Sequence, residues 1–458
     1  MRNAGLRRID LPEFGMPDAA PEIPGAMYAD RLERFRKRLA TCDYDAAVVY
    51  ADREHSANLA YLAGFDPRFE EAILIVGPQA RPLLLTGNEC VGMAHAAPLP
   101  MRVELHQDLS LPSQPRDRSR PLNEILAGEG IGAGSRVGMV GWKEFGDRSM
   151  IEVPSYIVDA VRAAIGDEGV AENAGAILTG ASDGLRVVNE LDQLAAFEYA
   201  ACHTSNGVRN LLFGLEPGMR EDEAVRLLEW NGAPLSCHLM LTSGPRASLG
   251  LLSPGRRQIE RGDRFTTAFG IWGALNCRAG FVVADAEELP IGIRDYLERL
   301  VVPYFEAIVE WYEALYVGQA GGALNEIIDR RLGDSFYGIF LNPGHQLHLD
   351  EWVNSPVAPD STIELRSGMA LQVDVIPATG TDYFTTNIED GIALADAALR
   401  SDFASRYPDA RDRIQARREF MRDALGIRLH PDVLPFSNIP GYLPPFLLRP
   451  DHAMTLVD

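Results

Sequence analysis

Residues 341–352 read LNPGHQLHLDEW. His345 and His348 stand three apart, and Asp350 and Glu351 follow at once. Imidazole beside carboxylate is the donor set of a divalent-cation centre, and equally of an acid–base site that uses no metal. If the segment is extended, the two imidazoles point to opposite faces; if it turns, they meet. The choice depends on what other donors the chain supplies.

Downstream, GMALQVDVIPA (368–378) and TNIEDGIALAD (386–396) read as strands, each with an acid among apolar residues. A carboxylate buried in such a strand must be paired or metal-bound. Asp374 and Glu389 are those acids. As neighbours they would push one pKa upward, so that one could act as a general acid while the other stays charged. Upstream, SCHLMLTSG (236–244), RFTTAFGIWG (264–273) and CRAGFVVA (277–284) are strand-like. Long helical patterns run through 189–215, closed by Pro217 and Gly218, and through 220–230, 291–318 and 323–334. Helices set apart from antiparallel-looking strands predict an α+β domain over 181–425.

The N-terminal half reads differently. MYADRLERFRKRLATC (27–42) is an amphipathic helix, and DAAVVYA, EAILIVGP, RPLLLTG and SRVGMVGW are short buried strands with helix-like stretches between them. This predicts an α/β layer domain over 27–180. Residues 1–26, rich in Pro and charge, read as an arm. Residues 426–458, rich in Pro and apolar side chains, read as an extension that wraps a neighbour or a partner chain.

The 458 residues carry a formal net charge of -22, with 46% hydrophobic and 24% charged residues. The acidity argues against nucleic acid and against an anionic membrane surface. Cys42, Cys90, Cys202, Cys237 and Cys277 are scattered and contain no C-x-x-C, which fits reduced thiols. The N-terminal residues lack a signal-peptide core, and no apolar run reaches the ~20 residues needed to span a bilayer, so the expected location is the cytoplasm.

Taken in order, LEPGMREDEA (215–224), ERGD (260–263), NPGHQLH (342–348), SGMALQVDVIP (367–377) and NIEDG (387–391) resemble the creatinase / Xaa-Pro aminopeptidase / methionine aminopeptidase family. The resemblance covers about residues 27–425. It implies a C-terminal pita-bread α+β domain after a smaller α/β domain, as in creatinase-like two-domain members. Metallopeptidase members hold two ions with two Asp, a His and two Glu, and His345, Asp374 and Glu389 match three of these positions, with Asp in place of the first Glu. The two Asp positions fall on Ala268 and Ala279, and a further family histidine falls on or near Leu251. The resemblance therefore implies a degenerate metal site.

The leading expectation is a creatinase-like hydrolase that cleaves a C–N bond of a small polar substrate without a dinuclear centre. The alternatives are a non-catalytic pita-bread binding protein and a mononuclear metal-dependent hydrolase or lyase. His345, Asp374 and Glu389 form the expected catalytic core, with His348 and His238 as further candidates and His238 the best replacement for the missing base. Cys277 and Arg278 lie on the strand of the second missing Asp and are candidate substrate contacts. So are Arg68 and Phe69, which in creatinase-like homodimers would reach the partner's site. No cofactor is expected; if a single divalent ion is bound, His345, Asp374 and Glu389 would hold it.

Overall fold

A computed structural model describes residues 3–79 and 81–457. Compactness divides the chain into two units, one of Ile23–Val187 and one that joins the residues up to Glu22 to those from Val188 onward. Among the described residues no helix is long and apolar enough to cross a membrane.

After β1 (Asn3–Arg8), the Ile23–Val187 unit contains β2 (Ala46–Ala51), β3 (Ala72–Val76), β4 (Leu83–Thr86), β5 (Arg102–Leu105), β6 (Arg136–Val140) and β7 (Val170–Asn173). They form a mixed sheet in the order β5-β4-β3-β2-β6-β7. β2 shows why it is layered on both sides. Ala47, Val49 and Ala51 cluster with Leu32, Phe35 and Leu39 of the helix Gly25–Thr41. The alternate residues Ala46, Val48 and Tyr50 cluster with Ile157, Val158 and Val161 of the helix Ser155–Ile165. A strand without a polar face needs a helix layer on each side. This is the α/β architecture read from the sequence.

The other unit contains β8 (Met240–Ser243), β9 (Arg264–Ile271), β10 (Ala274–Phe281), β11 (His345–Gln346), β12 (Ala370–Asp374), β13 (Asn387–Leu394), β14 (Val433–Pro435) and β15 (His452–Val457). An antiparallel sheet runs β11-β12-β13-β10-β9-β8, with β14 on β13. Within the stretch expected as an N-terminal arm, β1 pairs with β15 from Asn3↔Val457 to Arg8↔His452, and residues 9–24 form no helix or strand. The helix expected over 291–318 is also interrupted. A wide turn at Leu297–Val301 precedes the helix Val302–Glu313. Pro303 has no amide proton and its ring crowds the carbonyl one turn back, so the backbone ahead of it opens.

One face of this sheet carries the helices. Thr204, on the helix Leu191–Gly214, donates to Asn276 Oδ1 at 2.7 Å, and His203 meets Phe269 edge-on. Tyr304, on Val302–Glu313, accepts from the Ile388 amide at 2.7 Å. On the same face Arg278 and Asp390 form an ion pair at 2.9 Å in which both side chains are 1% exposed. The segment after β14 completes it. Arg278 donates to the Tyr442 and Ile439 carbonyls, while Ser437 Oγ and the Gly441 amide donate to Asp390. The expected C-terminal extension is thus partly core. Arg278→Met would leave the Asp390 carboxylate buried without its counter-ion, a change that costs about 3–5 kcal/mol. Urea unfolding of the variant should show that loss, and Arg278→Met/Asp390→Leu should recover most of it.

Candidate functional site

Strand periodicity puts the functional groups on the opposite, helix-free face. Cross-strand partners share a face. Asp374 pairs with Glu389, Glu389 with Cys277, Cys277 with Ala268, and Ala268 with Met240, so these five side chains form one row across four neighbouring strands and the edge strand β8. His345 pairs with Gln372, two residues from Asp374, and joins the same face. Gln372 donates to the Leu275 carbonyl at 2.7 Å, passing over Gly391, where a Cβ would stand 3.3 Å from its Oε1.

Gly344 sets the entry of His345. Its φ is +122°, and a Cβ there would lie 2.9 Å from Trp311 Cζ2 and 3.1 Å from the Gln372 carbonyl. The Pro343 carbonyl accepts from Trp311 Nε1 at 3.0 Å and the Gly344 carbonyl from Ser355 Oγ at 2.7 Å. The backbone ahead of the imidazole is therefore held on both sides.

The His345 imidazole is fully buried and stacks on Trp352, with ring centroids 4.2 Å apart and planes 18° from parallel. Its Nε2 lies 3.2 Å from Glu351, 3.7 Å from Glu389 and 3.9 Å from Asp374. Donor atoms of His345, Glu351 and Glu389 all fall within 4.8 Å of one another. Glu351 is the residue that sequence reasoning missed. It stood in the opening motif, but the family pattern gave it no role, and only the fold of the loop after β11 turns it back toward His345. Asp374 Oδ1 and Glu389 Oε1 are buried and have no hydrogen-bond donor among the described residues.

The electrostatics follow from burial. Burial alone would push the His345 pKa down, but Glu351, then Glu389 and Asp374, outweigh it and hold the value well above the ordinary one. Burial pushes Asp374 well above the carboxylate range, and Glu389 pushes it further, while His345 opposes. Burial raises Glu389 as well, with Glu351 adding and His345 opposing. Burial and then Glu389 drive the Cys277 thiol well up, so it is no thiolate nucleophile. It packs instead with Ala268, Leu275, Cys237 and Met240 in an apolar nook beside the carboxylates.

The remaining candidates are placed elsewhere. Arg278 points to the helix face and is consumed by Asp390, because it alternates with Cys277 along β10. As a substrate contact it is corrected by this geometry. His348 is buried edge-on against Phe197 of the long helix, 5.2 Å between centroids, and is not part of the His345–Glu351–Glu389 group. His238 is exposed, with Nε2 2.6 Å from the Leu251 carbonyl, so the imidazole stands at the loop where the family histidine is missing. Arg68 pairs with Asp66 at 3.4 Å and Phe69 is 54% exposed, both in the Ile23–Val187 unit.

A prolidase from Thermococcus sibiricus is similar in structure, with a TM-score of 0.63, 18% identity, and coverage of 81% of this chain and 95% of that one. A Xaa-Pro dipeptidase from Bacillus anthracis is similar at a TM-score of 0.61, with 17% identity and coverage of 81% and 96%. An X-Pro aminopeptidase from Thermotoga maritima matches at 0.60, with 16% identity and coverage of 80% and 95%. This chain has their two-domain pita-bread fold. No protein-family model and no curated protein matches its sequence.

The donor set on this pita-bread sheet fits one small divalent cation: an imidazole nitrogen, carboxylate oxygens within reach, and buried oxygens without donors among the described residues. Ala268 and Ala279 offer nothing to a second ion. In the metal-free state protons take the place of the cation. His345, Asp374 and Glu389 all have raised values in the fold, so their contribution to stability is present at acid pH and lost as pH rises through those values. The Tm of chelator-treated protein should therefore fall from about pH 4 upward, and Asp374→Asn should flatten that fall. Differential scanning calorimetry across pH, wild type against variant, checks it.

Proposed function

We propose that the chain is a hydrolase of a C–N bond in a small polar substrate, working without a dinuclear metal centre. The observation that carries this reading is the gathering of Glu351, Asp374 and Glu389 around the buried His345, with oxygens of Asp374 and Glu389 that no donor among the described residues satisfies. Such oxygens are costly unless a ligand, a proton or a cation meets them. A module that only bound a peptide would gain stability by replacing them. The shared fold with prolidases and X-Pro aminopeptidases supports an amide as the bond cleaved.

Amide hydrolysis needs a base as water bonds to the carbonyl carbon, and an acid as the C–N bond breaks. Asp374 suits both steps. It stands outside the tight His345–Glu351–Glu389 group, and burial and then Glu389 raise its pKa well above the carboxylate range, which favours a carboxyl that carries protons. It takes the proton of the attacking water and passes it to the leaving nitrogen, which departs as an amine and leaves a carboxylic acid. Trp352, half-exposed over His345, forms one wall for the substrate, and the Ala268–Cys277–Met240 nook forms another. A divalent cation bound by His345, Glu351 and Glu389 would polarise the scissile carbonyl. A homodimer in which Arg68 and Phe69 reach the partner's site belongs to the same reading.

The test is a panel of Xaa-Pro dipeptides, N-methyl and guanidino compounds and cyclic amides, followed by release of amine. At least one should be cleaved, and Asp374→Asn should reduce kcat by about 10²–10⁴-fold with little change in KM. If no compound is turned over by wild type, or if Asp374→Asn and His345→Ala cleave as wild type does, the reading fails.

A further inference from the structure

The chemistry of His345 leads beyond the set of ligands expected from the sequence. Its Nδ1 lies 3.2 Å from the Gln346 carbonyl, a group that can only accept. With Nδ1 turned to that carbonyl, Nε2 is the ring atom left to meet a ligand. It faces carboxylate oxygens of Glu351 at 3.2 Å and Glu389 at 3.7 Å. A positive charge between them, a proton or a metal ion, is what such a cluster accommodates. His345 is fully buried, Glu389 is 3% exposed, and His345 Nε2 and Glu389 Oε1 have no hydrogen-bond partner among the described residues. Trp352 stacked on the ring prevents it from turning away.

The size of the gap sets what fills it. Ligand atoms bound at about 2.1 Å to one first-row ion sit roughly 3–4 Å from each other. The donor atoms of His345, Glu351 and Glu389 lie within 4.8 Å of one another, which is room for one such ion. A second ion would need oxygens on β9 and β10, where Ala268 and Ala279 stand instead. An imidazole with two carboxylates suits manganese, cobalt or zinc better than calcium, which prefers oxygen alone. Glu351 comes from the loop and not from the sheet, and its side chain is 23% exposed, so it also offers an entry path.

We infer that the chain binds one divalent first-row transition ion through His345, Glu389 and Glu351, with Glu351 supplying the carboxylate that the sheet lacks. The inference rests on reading this face as the hydrolytic centre, and it replaces Asp374 by Glu351 among the ligands. Asp374 is left to handle protons. The Nδ1 contact to the Gln346 carbonyl orients the ring for binding, as such contacts do at metal-ligating histidines.

The experiment uses the full chain, stripped with chelator and titrated with Zn²⁺ or Mn²⁺. Bound metal is counted by elemental analysis after gel filtration, and Tm is followed by calorimetry. The expected result is one ion per chain and a Tm raised by several degrees. Glu351→Gln should fold and bind at least about tenfold more weakly, Glu351→Asp should recover part of the affinity, and Asp374→Asn should retain the stoichiometry. Should Glu351→Gln fail to fold, His345→Asn carries the same expectation of lost binding. Two ions per chain, no ion, or unchanged affinity in Glu351→Gln would overturn the inference. Cleavage by a protein that takes up no ion would leave the hydrolase and remove the ion. Ion binding without cleavage of any compound in the panel would do the reverse.

Discussion

The buried pair of Arg278 and Asp390 is the constraint on which the site depends. Each lies on a central strand next to a residue of the functional row: Arg278 follows Cys277, and Asp390 follows Glu389. Because side chains alternate along a strand, fixing the pair on the helix face forces Cys277 and Glu389 onto the other. A one-residue slip of β13 would bury Glu389 among the helices and turn Asp390 away from Arg278. The chain segment from Ser437 to Tyr442 closes around the same pair with its own carbonyls and amides. Register, active face and C-terminal packing are thus set by one ion pair.

Much of the fold was legible because its signals are local. The alternation in GMALQVDVIP and NIEDG, the helical period through 189–215 and the ordered motifs all pointed to an α/β unit followed by an α+β unit. His345, Asp374 and Glu389 were legible for the same reason, since each sits on a strand whose period gives its face. Glu351 was not, because it lies on a loop and only the three-dimensional path of LDEW brings it back. Arg278 was read into the cleft because its position in the chain borders the missing aspartate. Strand parity with Cys277 puts it on the far side. The pairing of β1 with β15 joins residues at opposite ends of the sequence, and no local pattern announces such a contact.

The site itself is a balance of charge against burial. An imidazole is set among three acids, and the two that water reaches poorly, Asp374 and Glu389, are pressed to shed their charge. Protons, a cationic substrate group or a metal ion relieve the same stress. These occupants therefore compete, and what occupies the cleft depends on pH and on ion supply together.

The nook of Ala268, Leu275, Cys277, Cys237 and Met240 has a consequence for what this sheet can accept. An aspartate placed at position 268 would drive a naked charge into an oily corner lined by thiols and a thioether. The corner would first have to become wetter and roomier, with several neighbours changing together. Acidity at that spot is therefore out of reach of any lone replacement and open only to a concerted set.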